Sequence, residues 1–485
     1  MRSRSQPATI STPPEASHHR LGALRHRNFR ALWYAFTAAS LAQRMDGVIL
    51  GWLVLELTDS AFMVGLVGSM RFLGAMLGPL TGVVADRCDR RRVLLASMLA
   101  MAAVVVVLLC LLAVRRLDVW SLFIATTIWG VLSAIHQPAQ QTIQADIVSG
   151  RELVQGIALM NTAMNCMAIL GPALAGTLIE CCGPASQVWE WSEDDMLLAL
   201  NKEDYTAGRF YAASDSGQVV ASRDRGMSWS PIPLVLPEAM LRGLKAAGAV
   251  AGVQWAYLVL LALHAVQLWN YLSLRLVQRP PTAARTSVWQ NLVAGMRYSC
   301  SHPGLWTALV LAGMVNLVAF PLQFGLLPIF ARDVFSVGAA GLGLLGSALG
   351  LGSLLGSFLM AFIGSVPRAG RLMLLGTTGW LMLLIVFSLM PSFEIALGVL
   401  VLMGMAQTLS LTNMTVLLLG TASSEMRGRV MGLRSLAVAP LFLGGTVAGA
   451  ATTSIGVPMT TIICAVIGLL IVLWVAPWIP RATEG

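Results

Sequence analysis

Charge is scarce in this chain of 485 residues: 11% are Asp, Glu, Lys or Arg, against about 25% in an ordinary soluble domain. Too little charge is present to coat a water-facing surface, which excludes a large soluble globule. There is no Gly-rich phosphate loop with a lysine, no nucleotide-binding domain and no catalytic-triad spacing. The chain is therefore not expected to be an enzyme or to hydrolyse ATP. The seven cysteines are scattered, most of them in apolar runs, and form neither a disulfide framework nor a metal-ligand pattern. No metal and no cofactor is expected. No apolar core precedes Phe29, so residues 1–28 read as a disordered cytoplasmic tail and not as a signal peptide.

What the chain has instead is apolar length, with 56% hydrophobic residues and a mean hydropathy of +0.74. Continuous runs of about twenty apolar residues suit helices crossing a ~30 Å hydrocarbon core, and their lack of alternation argues against a β-barrel. Twelve helices are predicted, at about 30–57, 62–84, 92–114, 119–142, 155–180, 247–272, 304–329, 336–363, 371–391, 394–418, 429–452 and 457–478. One alternate set of short loops holds Arg87, Arg90, Arg91, Arg92, Arg151, Arg275, Arg279, Arg285, Arg297, Arg368, Arg371, Arg427 and Arg429. The opposite set holds little beyond Arg115, Arg116 and Arg332. That bias puts the first set and both termini in the cytoplasm. The net charge of +9 thus reflects topology at a lipid bilayer, and no nucleic-acid partner is expected.

The expected fold is an all-α membrane protein with helices 1–5 in 29–182, helix 6 in 246–273, a cytoplasmic interdomain loop at 274–303, helices 7–12 in 304–480, and a cytoplasmic C-terminus at 481–485. The halves echo each other weakly, since Gly356, Gly364 and Arg368 lie one constant offset beyond Gly78, Asp86 and Arg90. Residues 183–245 break the pattern. They are polar, carry both lysines of the chain, Lys202 and Lys245, and fall on the extracytoplasmic side. Phe210–Ala213 and Gln218–Ser222 read as strands around a turn at Asp215-Ser216-Gly217. Ser222-Arg-Asp224-Arg-Gly226-Met-Ser-Trp229 resembles the Asp-box hairpin of sialidase-like propellers. A propeller needs at least about four such blades, so a self-packing ornament is expected. A periplasmic partner for 183–245 stays open without support.

Gly82-Val-Val-Ala-Asp86-Arg87-Cys-Asp-Arg90-Arg91-Arg92 resembles the signature between helices two and three of the major facilitator superfamily, with Asp89 where that signature has Gly and Val84 where it has Leu. Leu24–Arg30, Trp52-Leu-Val-Leu-Glu56-Leu-Thr, Gln137-Pro-Ala and Gly171-Pro-Ala-Leu-Ala-Gly176 are similar to its enterobactin-exporter-like efflux branch. The helix-five stretch keeps only Gly171, Pro172 and Gly176 of the full antiporter motif. The resemblance implies two pseudo-symmetric six-helix bundles and alternating access. Gly78 and Gly82, spaced i, i+4, leave a smooth groove for a neighbouring helix. Asp86, with Arg87 and Arg90, then forms a releasable cytoplasmic latch, the alternative being that the arginines only fix topology and bind headgroups.

Three charges lie near the middle of predicted helices one and two: Arg44, Asp46 and Arg71. At the middle of a membrane each costs about 2.5–3.5 kcal/mol, which demands a polar lining or a partner. An ion pair of Asp46 with Arg71 or Arg44 is one reading; the other makes Asp46 the carrier of a coupling proton. The resemblance places helices one, four, seven and ten around a central cavity, where Arg44, Arg71, His136, Gln137, Asn316, Gln323, Gln407 and Asn413 become candidate substrate contacts. Each also suits an interhelical hydrogen bond. The expected function is proton-coupled export of a small molecule, such as a drug, siderophore or metabolite, across a bacterial inner membrane. A proton symporter or lipid-type flippase, and a receptor or scaffold using 183–245, remain as alternatives.

Overall fold

The computed structural model describes residues 22–76, 90–114, 116–147, 150–182, 238–274, 288–363, 369–423 and 425–478, with five strands between 188 and 235. Its first half holds α1 (Arg27–Thr58), α2 (Ala61–Met70) with a further turn at Leu73–Met76, α3 (Arg90–Ala113), α4 (Val119–Ile147), α5 (Gly150–Cys182) and α6 (Glu238–Leu272). Its second half holds α7 (Val288–Cys300), α8 (Pro303–Val318), α9 (Ala339–Ile363), α10 (Ala369–Ser388), α11 (Phe393–Thr421), α12 (Arg427–Leu436), α13 (Pro440–Ile455) and α14 (Val457–Val475). Past Val318 the α8 segment continues through π-helical stretches at Leu322–Leu326 and Phe330–Val334.

Among the described residues, ten helical spans are long and apolar enough to cross a membrane. The chain is a multi-pass membrane protein. Large apolar side chains such as Trp269, Phe362 and Leu473 lie exposed, where lipid covers them at no cost. The predicted helices one and two are not among the ten. The first, α1, is long enough at 32 residues but carries Arg44 and Asp46 in its middle. The second is described only as the short apolar α2 and the turn after it, because 77–89 lie outside the described residues.

Within the first half α1 packs on α5 and α6, and α3 on α4 and α6; within the second, α11 packs on α9 and α10, and α14 on α10 and α13. Two pairs make the most extensive contacts between the halves, α5 with α9 and α2 with α13. Both seams are lined by small residues, which bring backbones close where lipid offers no hydrophobic drive for association. A Cβ on Gly65 would lie 2.6 Å from the Gly445 carbonyl and 2.9 Å from Gly449 Cα. Helix α4 is started by Asp118, whose carboxylate accepts from the Ser121 amide at 2.9 Å and from its hydroxyl. Those two donors hold the Asp118 carboxyl below the ordinary carboxylate range.

Between α5 and α6, β1 (Val188–Ser192), β2 (Asp195–Ala199), β3 (Phe210–Ser214), β4 (Gln218–Ser222) and β5 (Ser230–Val235) form one antiparallel sheet in sequence order. Register pairs Phe210 with Ser222 and Ala213 with Val219. Of the Asp-box-like stretch only Ser222 is on a described strand; 223–229 lie outside the described residues.

Candidate functional site

Helix α1 carries the site's charges on two sides. Asp46 and Arg71 form an ion pair in which the side chains are 14% and 11% exposed. Arg71 is the residue at the C-terminal cap of α2, and its backbone reaches α4 because Gly130 lacks a side chain: a Cβ there would lie 2.5 Å from the Arg71 carbonyl. Among the described residues the buried hydroxyl of Tyr257 on α6 has no hydrogen-bond partner, and neither has the Arg71 Nε. The neutralised pair answers the cost of two buried charges.

Arg44 points elsewhere. It lines a cavity of about 330 Å³ between α1, α3, α4, α5 and α6, a volume within the range of small-molecule sites. Its approach to α5 depends on Gly171, where a Cβ would sit 2.5 Å from the Arg44 Cβ. Phe36, Met101, Trp129 and Met160 supply apolar wall. Gln43, Gln137 and Asn161 lie on the open side, and His136, His264 and Gln267 are buried deeper.

Both histidines are oriented by the wall. His264 Nδ1 donates to the Leu260 carbonyl at 2.7 Å, which leaves Nε2 of the neutral ring as an acceptor. Its ring meets Trp129 edge-on, with centroids 5.4 Å apart. His136 Nδ1 lies 2.9 Å from Ser97 Oγ and Nε2 3.3 Å from the Tyr271 hydroxyl, which also accepts from Gln140 at 3.2 Å. One proton arrangement satisfies the chain: Gln140 donates to Tyr271, Tyr271 to His136, and His136 to Ser97. His136 therefore builds the wall with both nitrogens engaged.

Of the eight residues expected to surround a central cavity, the structure brings Arg44, His136 and Gln137 together at this one. Arg71 is held by Asp46 and does not line it. Nor do the four from the second half: Gln407 donates to Gln323 at 3.3 Å, Asn316 to the Ala312 carbonyl at 2.8 Å, and Asn413 to the Leu409 carbonyl at 2.8 Å. An amide NH2 one turn from a carbonyl of its own helix finds its acceptor there, a use that helical position alone does not separate from ligand binding. Asn161, His264 and Gln267 are cavity residues that the sequence reading omitted. They lie on the fifth and sixth predicted helices, which it did not assign to the cavity, and their polarity in apolar runs was the available signal. Gly78, Gly82, Asp86 and Arg87 lie outside the described residues, and of Arg90 only the backbone, opening α3, is described.

The cavity occupies the part of the first half nearer the start of α1. At the other end the halves are tied together. Asp59, the left-handed residue closing α1, pairs with Arg332 at 2.7 Å. Glu180, near the end of α5, accepts from the Ala340 amide at 2.7 Å, at the start of α9. Deeper in, Phe72 meets Phe324 with ring centroids 4.9 Å apart. Gly176 lies against Ala339 and Ala340, and Pro172 against Gly346.

A family described as transmembrane secretion effectors matches residues 19–193 and 243–480. The enterobactin exporter EntS of Citrobacter koseri is 25% identical over 470 residues, covering 92% of this chain and 92% of that protein. EntS of Escherichia coli O1:K1 / APEC is 25% identical over 464 residues, covering 92% and 90%. Among solved structures, a bacterial homologue of the human lysosomal transporter Spinster, in an inward-facing and unoccupied conformation, superposes with a TM-score of 0.64 at 14% identity, covering 96% of this chain and 98% of that one. The nucleoside transporter NupG superposes with a TM-score of 0.63 at 12% identity, covering 93% and 98%. At these identities the two structures establish the fold alone.

Proposed function

The chain belongs to the transmembrane secretion effector family of the major facilitator superfamily, and from that premise we propose that it exports a small molecule from the cytoplasm, driven by inward proton flow. The observation that carries this reading is the polarity of the molecule along its axis. A polar cavity sits toward one end, and side-chain ties between the halves close the other. With α1 and the segment begun by α2 counted as spans, the ten become twelve in two sets of six. Arginine-rich loops then put both termini in the cytoplasm, the cavity on the cytoplasmic side, and the strands of 188–235 in the periplasm of an inner-membrane protein. Such a state is inward-facing and ready to load.

Export is favoured over import by the relatives, which are named as exporters at 25% identity over most of the chain. Coupling has a physical basis in α1. Arg44 at the cavity and Asp46 at the ion pair are two residues apart on one helix, so a load at the first site acts on the second through a shared backbone. A proton on Asp46 releases Arg71, and the neutral acid no longer holds α2 against α1 by charge. Gly171, Pro172 and Gly176 serve in this scheme as the close-packed contacts of α5, and Gly78, Gly82, Asp86, Arg87 and Arg90 as the cytoplasmic latch.

Comparing the medium of cells with and without the protein identifies the compound carried. Inverted and right-side-out vesicles, loaded under an imposed pH gradient, then test the direction. Accumulation in the inverted vesicles is expected; accumulation in right-side-out vesicles alone makes the protein an importer.

A further inference from the structure

The structure assigns the cavity beside Arg44 a ligand class: we propose that it takes small organic monoanions, with the acidic group docked on the Arg44 guanidinium and the body of the molecule among neutral side chains. This rests on reading the cavity as the transport site, and it deepens that reading.

Among the described residues of the lining Arg44 is the one that is formally charged, and neither Asp nor Glu is among them. The acid nearest to it along α1, Asp46, is taken by Arg71. Among the described residues Arg44 has no acidic partner and no hydrogen-bond acceptor. A guanidinium so placed, at a depth where a lone charge is costly, is a cation awaiting its anion. Its planar fork of donors matches a carboxylate or a similar oxyanion in two parallel hydrogen bonds. Gly171 fixes where it stands, because any side chain there would push α5 off the Arg44 Cβ.

The remaining wall sets the charge count at one. Gln43, Asn161 and Gln267 offer amides, and His264 offers a neutral acceptor with its other nitrogen held by Leu260. These can meet hydroxyl, carbonyl or amide groups, but none neutralises a second negative charge. A cationic ligand meets the like charge of Arg44 in a site of low dielectric, where repulsion is weakly screened. Trp129, Met101 and Met160 suit an aromatic or apolar body.

The test uses the full-length purified protein in lipid nanodiscs, with radiolabelled 2-naphthoate as probe and benzoate, salicylate and the uncharged amides of all three acids as competitors. The expected result is binding of each acid at least tenfold tighter than its amide. Arg44→Gln should bind acid and amide alike, and Arg44→Lys should keep part of the preference, with both variants retaining a cooperative thermal transition. Equal binding of acid and amide by the unaltered protein, no binding of any acid, or a preference that survives in Arg44→Gln overturns the assignment. The comparison of acid with amide needs no variant, so a misfolded substitution cannot rescue the proposal. Binding also needs no gradient. An Arg44-dependent preference in a protein that accumulates nothing in vesicles would sink the export reading alone, whereas accumulation without that preference would sink this one alone.

Discussion

Asp46 and Arg71 illustrate how a sequence can state a problem and leave its solution to geometry. Two charges within apolar runs require partners, and the pairing could be narrowed only to Arg44 or Arg71; Gly130, by admitting the α2 backbone to α4, decides for Arg71. Removing one member leaves the other buried and uncompensated, at about 3–5 kcal/mol. Asp46→Asn should therefore lower the thermal unfolding midpoint in nanodiscs by several degrees, while Asp46→Asn with Arg71→Gln, which leaves no charge, should recover most of the loss. A double variant no more stable than the single one would show that the pair carries little of the cost. Arg44 was legible in the same way, as a charge in an apolar run that needs a partner or a polar lining, and its cavity was not: the surrounding Asn161, His264 and Gln267 come from helices whose rotation no period in the sequence fixes.

Among the elements, two proline-containing helical segments use one device. Proline lacks an amide hydrogen, so Pro172 in α5 leaves the Ala168 carbonyl without its helical donor, and Pro328 follows the π-helical stretch that carries the Phe324 carbonyl. Both of those carbonyls, Ala168 and Phe324, face a glycine of the opposite half, Gly350 and Gly68 respectively, at distances that exclude a Cβ. The third contact is the small-residue seam of α2 and α13, where Ser69 Oγ turns back to the Gly65 carbonyl at 2.5 Å and Gly445 and Gly449 lie opposite. Gly449→Val should wedge this seam apart and cut transport at least tenfold. In a cysteine-free background it should also expose a cysteine placed at Ser69, buried in the unaltered protein, to a membrane-impermeant thiol reagent. Unchanged labelling would mean that the seam tolerates the side chain. Most of the long apolar runs and the Gly171-Pro172-Gly176 string were readable because apolar length and motif spacing are local, whereas helix α7 inside the expected 274–303 loop, the start of α6 at Glu238 inside the expected insert and the division of the expected 429–452 helix into α12 and α13 were not. The partners of these glycines were not, since contact across the halves joins residues far apart in sequence, such as 65 and 445.

For the whole molecule the balance between open and closed ends rests on many small contacts. The Asp59–Arg332 pair is partly solvated, with Asp59 78% exposed, so it contributes roughly 0–1 kcal/mol, and Glu180 at the start of α9 about 0.3–1 kcal/mol. Asp59→Asn keeps the left-handed backbone that Asn also adopts, and combined with Glu180→Gln should shift the closed-to-open ratio at that end by about three- to tenfold, read as faster thiol labelling of Val337→Cys in the same cysteine-free background. No change in labelling would mean that the small-residue seams hold the end shut without them. In the proposed export cycle such weak latches let the molecule reverse its access at each turn, with protonation of Asp46 to tip it. The most direct test of that coupling is uphill transport of the identified compound into inverted proteoliposomes with an acidic lumen. The unaltered protein should accumulate it, and Asp46→Asn, with and without Arg71→Gln, should let it equilibrate and go no further; uphill accumulation by either variant would contradict proton-coupled export through Asp46.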